Sequence, residues 1–344
     1  MGSEKIFSGR IWNGRSFEDG HLVVDDGVLK DIVLGEKDDA ADFKGCIMPG
    51  ITDTHTHVAD SGLRLDRRYG LEELVAPPNG LKHRYLKETD PGVIAKDMKD
   101  YISRLYRSGV SRIIDFREGG IEGVRMLRSV SDAAVIMGRP ISKEYDVNEV
   151  DGILEYADGI GIPSITDMDH GYIESVVDHV HRKNKLLALH VSERIREDID
   201  YVMSLEPDLI VHMVQATDHD LKVCADHDVP ISVCPSSNLY FGMVPPVSRM
   251  LDAGIELSLG TDNGMLFPSA DIFDEVRTLS SILDAQGKDP ALAYKVVFAC
   301  GHKVLYDNTL TVDKTGKKAD FTAFPCDEKE LLAGKAGGSV RYGP

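Results

Sequence analysis

Short apolar runs alternate with amphipathic stretches through the middle of the chain. The stretches, such as "GVIAKDMKDYISRLYRSG" and "DIFDEVRTLSSILDAQG", have the period of a helix. The runs are rich in β-forming residues and end in polar ones: "CIMPGITDTHTH", "SRIIDFRE", "AAVIMGRP", "DGIGIPSITD", "KLLALHVSE", "DLIVHMVQA", "PISVCPSSN" and "IELSLGTDN". Strands that alternate with helices predict a parallel sheet, and eight strands over roughly 250 residues match an α/β fold of the (β/α)8 TIM barrel type. A doubly wound open sheet is the alternative, but no Gly-rich phosphate loop follows the first strand.

The two ends of the chain have a different pattern. Residues 1–47 alternate short β-rich runs with Gly and Asp turns, and "DDG" between two apolar runs predicts a hairpin. Near the other end, "LTVDKTGKKADFTAF" returns to alternating β character. We therefore expect residues 1–47 and 309–344 to form one small β-sandwich module, and residues 48–308 to form the barrel.

Composition narrows the classes of partner and compartment. The formal net charge of −18 over 344 residues argues against nucleic acid or an anionic membrane as the main partner. No apolar run approaches the ~20 residues of a membrane span, and the start "MGSEKIFSGR" lacks the apolar core of a secretory signal. The five cysteines are scattered without a C-x-x-C motif, which indicates reduced thiols and a cytoplasmic location.

The first predicted barrel strand carries a candidate metal chelate. His55 and His57 lie two residues apart, so on an extended strand they point to the same side, where imidazole nitrogens can bind one ion. A second H-x-H pair, His179 and His181, lies in a stretch that predicts a helix. Residues two apart on a helix face nearly opposite ways, so this second pair fails as a chelate.

Further metal-binding residue types fall at strand ends. The active site of a barrel of this type is built from the carboxyl ends of the strands. The residues at these ends are His55 and His57 on strand 1, His190 and then Glu193 on strand 5, His212 on strand 6, and Asp262 on strand 8. Singly, each has a structural alternative: a core histidine, a loop carboxylate or a turn cap. Jointly they indicate a catalytic divalent ion with room for water, and the absence of a strand-4 lysine favours one ion over two.

On these motifs the chain resembles the amidohydrolase superfamily. The resemblance is to its mononuclear branch of cytosine, adenosine and related deaminases, with their triazine-hydrolase relatives. The motifs that carry it are "PGITDTHTH", "LHVSE", "VHMV", "SVCPSSNL", "LGTDNGM" and the C-terminal "GKKADFTAF".

The resemblance implies a role for each of these residues. The metal would be zinc, with iron or manganese as alternatives. Its ligands would be His55, His57, His190 and Asp262. His212 would contact the activated water or the developing tetrahedral centre, and Asp262 would take a proton from that water. Glu193, in an H-x-x-E pattern, would shuttle protons, which favours a deaminase over a dihydroorotase-like amidase.

The expected activity is hydrolytic deamination of a small nitrogen heterocycle such as a purine, pyrimidine, pterin or triazine-like ring. Chloride removal or cyclic amide opening on the same scaffold is the alternative, and a catalytically silent scaffold protein is a third. Arg117 and Arg139 follow strands 2 and 3, so they are candidates to bind an anionic group of the substrate, with ordinary salt bridges as the alternative. Many members of the superfamily form dimers or larger assemblies, so the resemblance leaves open whether this chain forms a homo-oligomer.

The segment after strand 1 should cover the mouth of the site. It matches no loop of a relative whose substrate is known, and its acidic residues offset much of its positive charge. Its basic residues are Arg64, Arg67, Arg68, Lys82, His83 and Arg84.

Overall fold

The computed structural model describes residues 4–76, 79–299, 315–333 and 338–342. The chain begins with four strands: β1 (Lys5–Trp12), β2 (Phe17–Asp25), β3 (Val28–Leu34) and β4 (Phe43–Pro49). The "DDG" sequence connects β2 to β3, with positive φ at Asp26 (50°) and Gly27 (76°). Two consecutive residues with positive φ form the tight turn whose twist suits a hairpin, so the predicted hairpin is confirmed.

Nine strands follow in one parallel sheet. They are β5 (Ile51–His57), β6 (Val110–Arg117), β7 (Val135–Gly138), β8 (Gly159–Ile162), β9 (Leu186–Val191), β10 (Leu209–His212), β11 (Ile231–Val233), β12 (Leu257–Leu259) and β13 (Asp262–Asn263). Their order is β12-β11-β10-β9-β8-β7-β6-β5-β13. The strands β5 to β12 fall in the eight predicted runs, in sequence order.

The parallel sheet is curled so that its two ends meet. Thr54 on β5 places its Oγ1 2.9 Å from Ser258 Oγ on β12 and 2.7 Å from Ser232 Oγ on β11. The short strand β13 pairs with β5 on the same side, with Asp262 opposite Thr56. This closure is consistent with the predicted barrel, and it brings the first and last strands of the sheet side by side.

Helices occupy most of the connections between the strands. They are α1 (Leu71–Val75), α2 (Leu81–Glu88), α3 (Pro91–Arg107), α4 (Gly120–Val130), α5 (Val147–Leu154), α6 (His170–Arg182), α7 (Ile199–Ser204), α8 (Asp218–Asp226), α9 (Pro235–Tyr240), α10 (Val247–Asp252), α11 (Ile272–Ala285), α12 (Leu292–Ala299) and α13 (Glu328–Leu332). His179 and His181 lie in α6, as predicted. Within the described residues, no helix combines the length and apolar character that crossing a bilayer requires.

The sequence of α3 explains why a helix forms there. Asp90 caps its amino end by accepting hydrogen bonds from the backbone N–H groups of Gly92 and Val93, and Pro91 fits the first turn. The buried residues follow helical spacing: Ile94, Met98, Tyr101, Ile102 and Leu105. This apolar stripe packs the helix against the curled sheet.

The C-terminal strands β14 (Phe321–Phe324) and β15 (Val340–Tyr342) return to the N-terminal strands. The six strands form one sheet in the order β15-β14-β4-β1-β2-β3, so the two ends of the chain share a sheet as predicted. The predicted sandwich of two layers is not confirmed. The predicted boundary after residue 47 falls inside β4, because that strand continues to Pro49, and the boundary at 308/309 lies outside the described residues.

The cysteines of the described residues are buried and unpaired. Cys46, Cys224, Cys234 and Cys326 are free thiols, and Cys300 lies outside the described residues. Burial raises the pKa of the Cys46 and Cys224 thiols to about 12. Such thiols stay protonated, which makes them packing groups rather than nucleophiles.

Candidate metal centre and active site

Four histidines converge at the carboxyl ends of β5, β9 and β10. The ring centroid of His55 lies 4.9 Å from that of His57, 4.8 Å from that of His190 and 5.6 Å from that of His212. Asp262 on β13 completes the cluster, with its Oδ1 atom 3.3 Å from His55 Nε2 and 3.7 Å from His57 Nε2. The structure therefore brings together five of the six residues predicted at the strand ends.

The backbone around β5 and β13 fixes the distance between His55 and Asp262. Asp53 accepts hydrogen bonds from the backbone N–H of Thr261 (3.0 Å) and from its hydroxyl (2.6 Å), which holds the segment before Asp262 against β5. Gly260 is required at its position because a Cβ there would lie 2.6 Å from His55 Cβ. Asp262 itself has a positive φ of 59°, a conformation that costs free energy for an L-residue and recurs at functional sites.

Hydrogen bonds fix which nitrogen of two histidines is available. Nδ1 of His57 lies 2.9 Å from the Phe116 carbonyl oxygen, and Nδ1 of His190 lies 3.1 Å from that of Ile162. A carbonyl oxygen only accepts, so each Nδ1 carries the proton and each Nε2 keeps a free lone pair. That is the tautomer a metal ligand needs, and it arises from outer hydrogen bonds of the kind found around metal-binding histidines.

His55 is fully buried, and within the described residues neither of its ring nitrogens forms a hydrogen bond. Burial lowers its pKa to about 3, so the imidazole is neutral. Buried polar atoms nearly always have a hydrogen-bond partner, and His55 has only the Asp262 carboxylate 3.3 Å from its Nε2 atom among the described residues, which fits the position of a metal ligand.

The donor set as a whole fits a divalent metal ion. Two groups of three residues each bring their ligand atoms within 4.8 Å of one another. The first group is His55, His57 and His190, and the second is His55, His212 and Asp262. Burial opposes ionisation of Asp262, yet its contact with the His55 imidazole holds the pKa of that carboxyl well below its usual range. Neutral imidazoles with one carboxylate are the ligand types of catalytic metal sites. The assignment of His55, His57, His190 and Asp262 as ligands stays a prediction with this support.

His212 and Glu193 lie together beside the cluster. The Asn238 amide nitrogen is 3.4 Å from His212 Nδ1, so that ring nitrogen accepts and Nε2 carries the proton. His212 Nε2 lies 3.7 Å from Glu193 Oε2. Burial and the charge of Asp262 raise the pKa of the Glu193 carboxyl. His212 is thus arranged to donate a hydrogen bond, and proton transfer by Glu193 stays a prediction.

The two arginines predicted to bind substrate lie at the ends of β6 and β7. Arg117 is 3% exposed, and its guanidinium contacts the Gly123 carbonyl oxygen and Glu118 Oε2, both at 3.2 Å. Arg139 is half-buried and donates its backbone N–H to the Arg117 carbonyl oxygen at 3.0 Å. The pairing with Glu118 shows that Arg117 has the structural role named as its alternative, while substrate binding by either arginine stays a prediction.

Several polar residues that surround the cluster had no role predicted from the sequence. Lys82 on α2 is buried and lies 2.6 Å from Glu118 Oε1 and 3.0 Å from Asn263 Oδ1. Ser237 donates its hydroxyl to Asp262 Oδ2 at 2.5 Å. Glu118 directly follows β6, so the strand-end criterion applied to the second strand would have found it. Lys82 had only a weak signal, as one of six basic residues in the segment after strand 1.

Comparison of sequences matches the chain to a family model and to proteins of archaea and bacteria. The model of the amidohydrolase family matches residues 46–335. The chain is 29% identical over 331 residues to an uncharacterized protein of Methanocaldococcus jannaschii, covering 88% of this chain and 85% of that protein. It is 25% identical over 354 residues to the 5'-deoxyadenosine deaminase of Methanosarcina acetivorans, covering 88% of this chain and 79% of the relative.

Comparison with solved structures finds proteins of the same fold. An adenosine deaminase from Xanthomonas campestris, crystallised with bound zinc, superposes with a TM-score of 0.77 at 16% sequence identity. The match covers 98% of this chain and 89% of that one. At this identity the likeness establishes the fold.

Proposed function

Because the chain belongs to the amidohydrolase family, whose model covers residues 46–335, we propose that it is a metal-dependent deaminase of a small nitrogen heterocycle. The protein is a hydrolase that acts on carbon–nitrogen bonds. The observation that carries the finer assignment is Glu193, whose carboxyl oxygen lies 3.7 Å from His212 beside the histidine cluster. A carboxyl group there can deliver a proton to a ring nitrogen, which deamination needs.

His55, His57, His190 and Asp262 would hold the ion, and zinc suits this mixture of imidazole and carboxylate, with iron or manganese as alternatives. When bound, a divalent ion of this kind lowers the pKa of a water molecule from 15.7 to about 7. The bare Nε2 atoms of His57 and His190 support this assignment, since their Nδ1 atoms are bonded to backbone carbonyls.

Different side chains of the site carry out the separate proton transfers. Water adds to the ring carbon that bears the amino group, and Asp262 accepts a proton from that water. Glu193 donates a proton to the adjacent ring nitrogen, which makes the aromatic carbon a better electrophile. His212, protonated on Nε2, donates a hydrogen bond to the oxygen as negative charge develops. The carbon–nitrogen bond then breaks, and the amino group leaves as ammonia with the proton passed on from Asp262. The proton of the added hydroxyl returns to Glu193 as the ring carbonyl forms, so both carboxyl groups are restored.

Ammonia release tests the proposal. Zinc-, iron- and manganese-loaded protein would be assayed on aminopurines, their nucleosides and 5'-modified nucleosides, cytosine, pterins and aminotriazines, with anionic and neutral members of each class. We expect Glu193→Gln to lower kcat by about 10²–10⁴-fold. Glu174→Gln, the same change at an exposed site on α6, serves as the matched control and should keep full activity.

Two results would count against a deaminase. Undiminished ammonia release by Glu193→Gln would remove the proton-transfer role of that residue. Release of chloride from chlorotriazines, or ring opening of cyclic amides, without ammonia from any member of the panel would assign the protein to another hydrolase type on the same scaffold.

A further inference from the structure

We propose that Lys82 is a positioning residue for the metal centre, acting through Glu118 on His57 and through Asn263 on Asp262. The inference rests on the proposed function only in so far as these two residues are metal ligands. It assigns a role to the segment after β5, which neither the metal-ligand motifs nor the proton-transfer residues include.

The Lys82 ammonium group is the centre of a buried polar cluster. Lys82 is 3% exposed, and three acceptors from three different segments surround its Nζ atom. They are Glu118 Oε1 at 2.6 Å, Asn263 Oδ1 at 3.0 Å and Asp60 Oδ2 at 3.5 Å. Among the described residues, the contact with Asn263 is a hydrogen bond, and the two carboxylates pair with the ammonium group by charge at these distances. Burying a charged group is costly unless it is paired in this way, so the lysine holds its partners in defined places.

The first connection runs from Lys82 to His57. Glu118 Oε1, which contacts the ammonium group, also lies 2.9 Å from His57 Nδ1. That nitrogen already faces the Phe116 carbonyl oxygen at 2.9 Å, so two acceptors surround the same N–H. Both favour the proton on Nδ1 and leave Nε2 facing Asp262. A carboxylate behind a metal-binding histidine fixes the orientation of the ring and its tautomer.

The second connection runs from Lys82 to Asp262. An ammonium group only donates hydrogen bonds, so it fixes which end of the Asn263 amide faces it, and this end is Oδ1. The amide nitrogen then points the other way and donates to Asp262 Oδ1 at 2.9 Å. Without Lys82 the amide could turn over and present its oxygen to the aspartate, which would repel the carboxylate instead of binding it.

These two connections link the segment after the first strand to ligands on two neighbouring strands of the curled sheet. His57 lies at the end of β5 and Asp262 on β13, and one side chain from α2 reaches the partners of both. Loss of a group that supports a metal ligand typically costs about 10–100-fold in metal affinity. Because Lys82 supports two ligands, we expect a loss of that size or larger when it is removed.

Metal affinity, measured without substrate, tests the inference. Zinc would be titrated against a chromophoric chelator for the wild type, Lys82→Met, Glu118→Gln and the double variant. We expect each single variant to bind about 10–100-fold more weakly, and the double variant to lose less than the sum of the two, because both changes break the same connection to His57. Lys87→Met, an exposed lysine on the same helix, is the matched control and should bind as the wild type does.

Cobalt spectra and melting of the metal-free protein separate positioning from folding. We expect the visible spectrum of Co²⁺-loaded Lys82→Met to change, since the intensity of that spectrum depends on ligand geometry. Glu118→Gln provides a second variant, in which the side-chain volume is nearly unchanged. A folded Lys82→Met and a folded Glu118→Gln with wild-type zinc affinity and cobalt spectrum would overturn the inference. Weakened zinc binding in both variants with no ammonia release from wild-type protein would support the inference and count against the proposed activity.

Discussion

At the residue scale, the tautomer of His212 distinguishes a metal ligand from a hydrogen-bond donor. One of its ring nitrogens lies within 4.8 Å of ligand atoms of His55 and Asp262, close enough to be a ligand. The Asn238 amide nitrogen at 3.4 Å from Nδ1 leaves the proton on Nε2, which is the state of a donor. His190 has the opposite arrangement, because its Nδ1 faces a carbonyl oxygen.

Replacement of the two histidines should therefore have different effects. We expect His212→Gln to keep about one metal ion per chain and to lower kcat by about 10²–10³-fold, the loss typical of one oxyanion donor. His190→Gln should lose metal affinity as well as activity. Metal content by atomic emission after gel filtration, together with kcat at saturating metal, makes the comparison. A metal-free His212→Gln protein would identify His212 as a ligand instead.

At the element scale, the start of α8 is held by a buried carboxylate. Asp220 is 1% exposed and accepts hydrogen bonds from Arg196 Nε at 2.8 Å and from Arg196 Nη2 at 2.7 Å. It also closes a capping box with Thr217 at the first turn of the helix. Burial opposes ionisation, but the Arg196 and Thr217 hydrogen bonds lower the pKa of Asp220 to about 2.

The lowered pKa makes the stability of α8 depend on pH. A carboxyl group whose pKa is lower in the folded state stabilises the protein above its unfolded pKa near 3.9, and that stability is lost as pH falls through about 2. We expect Asp220→Asn to reduce the free energy of unfolding by about 1–2 kcal/mol at neutral pH, allowing for the half-exposed Arg196. The difference from wild type should shrink between about pH 4 and pH 2.

Asp226→Asn on the same helix is the control for this experiment. Its carboxylate pairs with Lys222 at 2.6 Å, but both side chains are mostly exposed, so the loss should stay below about 0.5 kcal/mol. Urea unfolding at a series of pH values gives both differences. An Asp220→Asn difference that stays constant down to pH 2 would mean that the carboxylate does not stabilise the folded state through its charge.

The arrangement of strands and helices explains which site residues could be predicted from the sequence. Strand ends are predictable because the alternation of strands and helices identifies each carboxyl end, and parallel strands bring those ends to one edge. His55, His190, His212 and Asp262 were found in that way. The role of Lys82 could not be predicted, because its position depends on how the segment between β5 and α3 folds back over the sheet. No periodic pattern determines that path, since α1 and α2 are short.

At the scale of the whole molecule, the six-stranded sheet is joined to the curled sheet at the end opposite the active site. Phe324 of β14 is 1% exposed and packs edge-on against Phe273 of α11, with ring centroids 5.6 Å apart. Gly109, just before β6, has a φ of 110°, and a Cβ there would lie 2.4 Å from the Phe324 ring. The Thr322 hydroxyl adds a hydrogen bond to the Gly109 carbonyl oxygen at 3.0 Å. An interface this closely packed predicts that the two sheets unfold together.

Two phenylalanine substitutions test this coupling. Phe324→Ala removes packing between the sheets, whereas Phe321→Ala removes a side chain from the core of the six-stranded sheet alone, where Phe321 contacts Phe7 at a ring-centroid distance of 5.0 Å. We expect each to destabilise the protein by about 3–5 kcal/mol and to lower the temperature of one shared transition. Zinc affinity well below that temperature should be unchanged in both, because the site lies at the opposite end of the strands. Two separate calorimetric transitions, with Phe321→Ala lowering the temperature of only one of them, would instead mean that the six-stranded sheet unfolds independently. The chain ends would then not stabilise the metal centre.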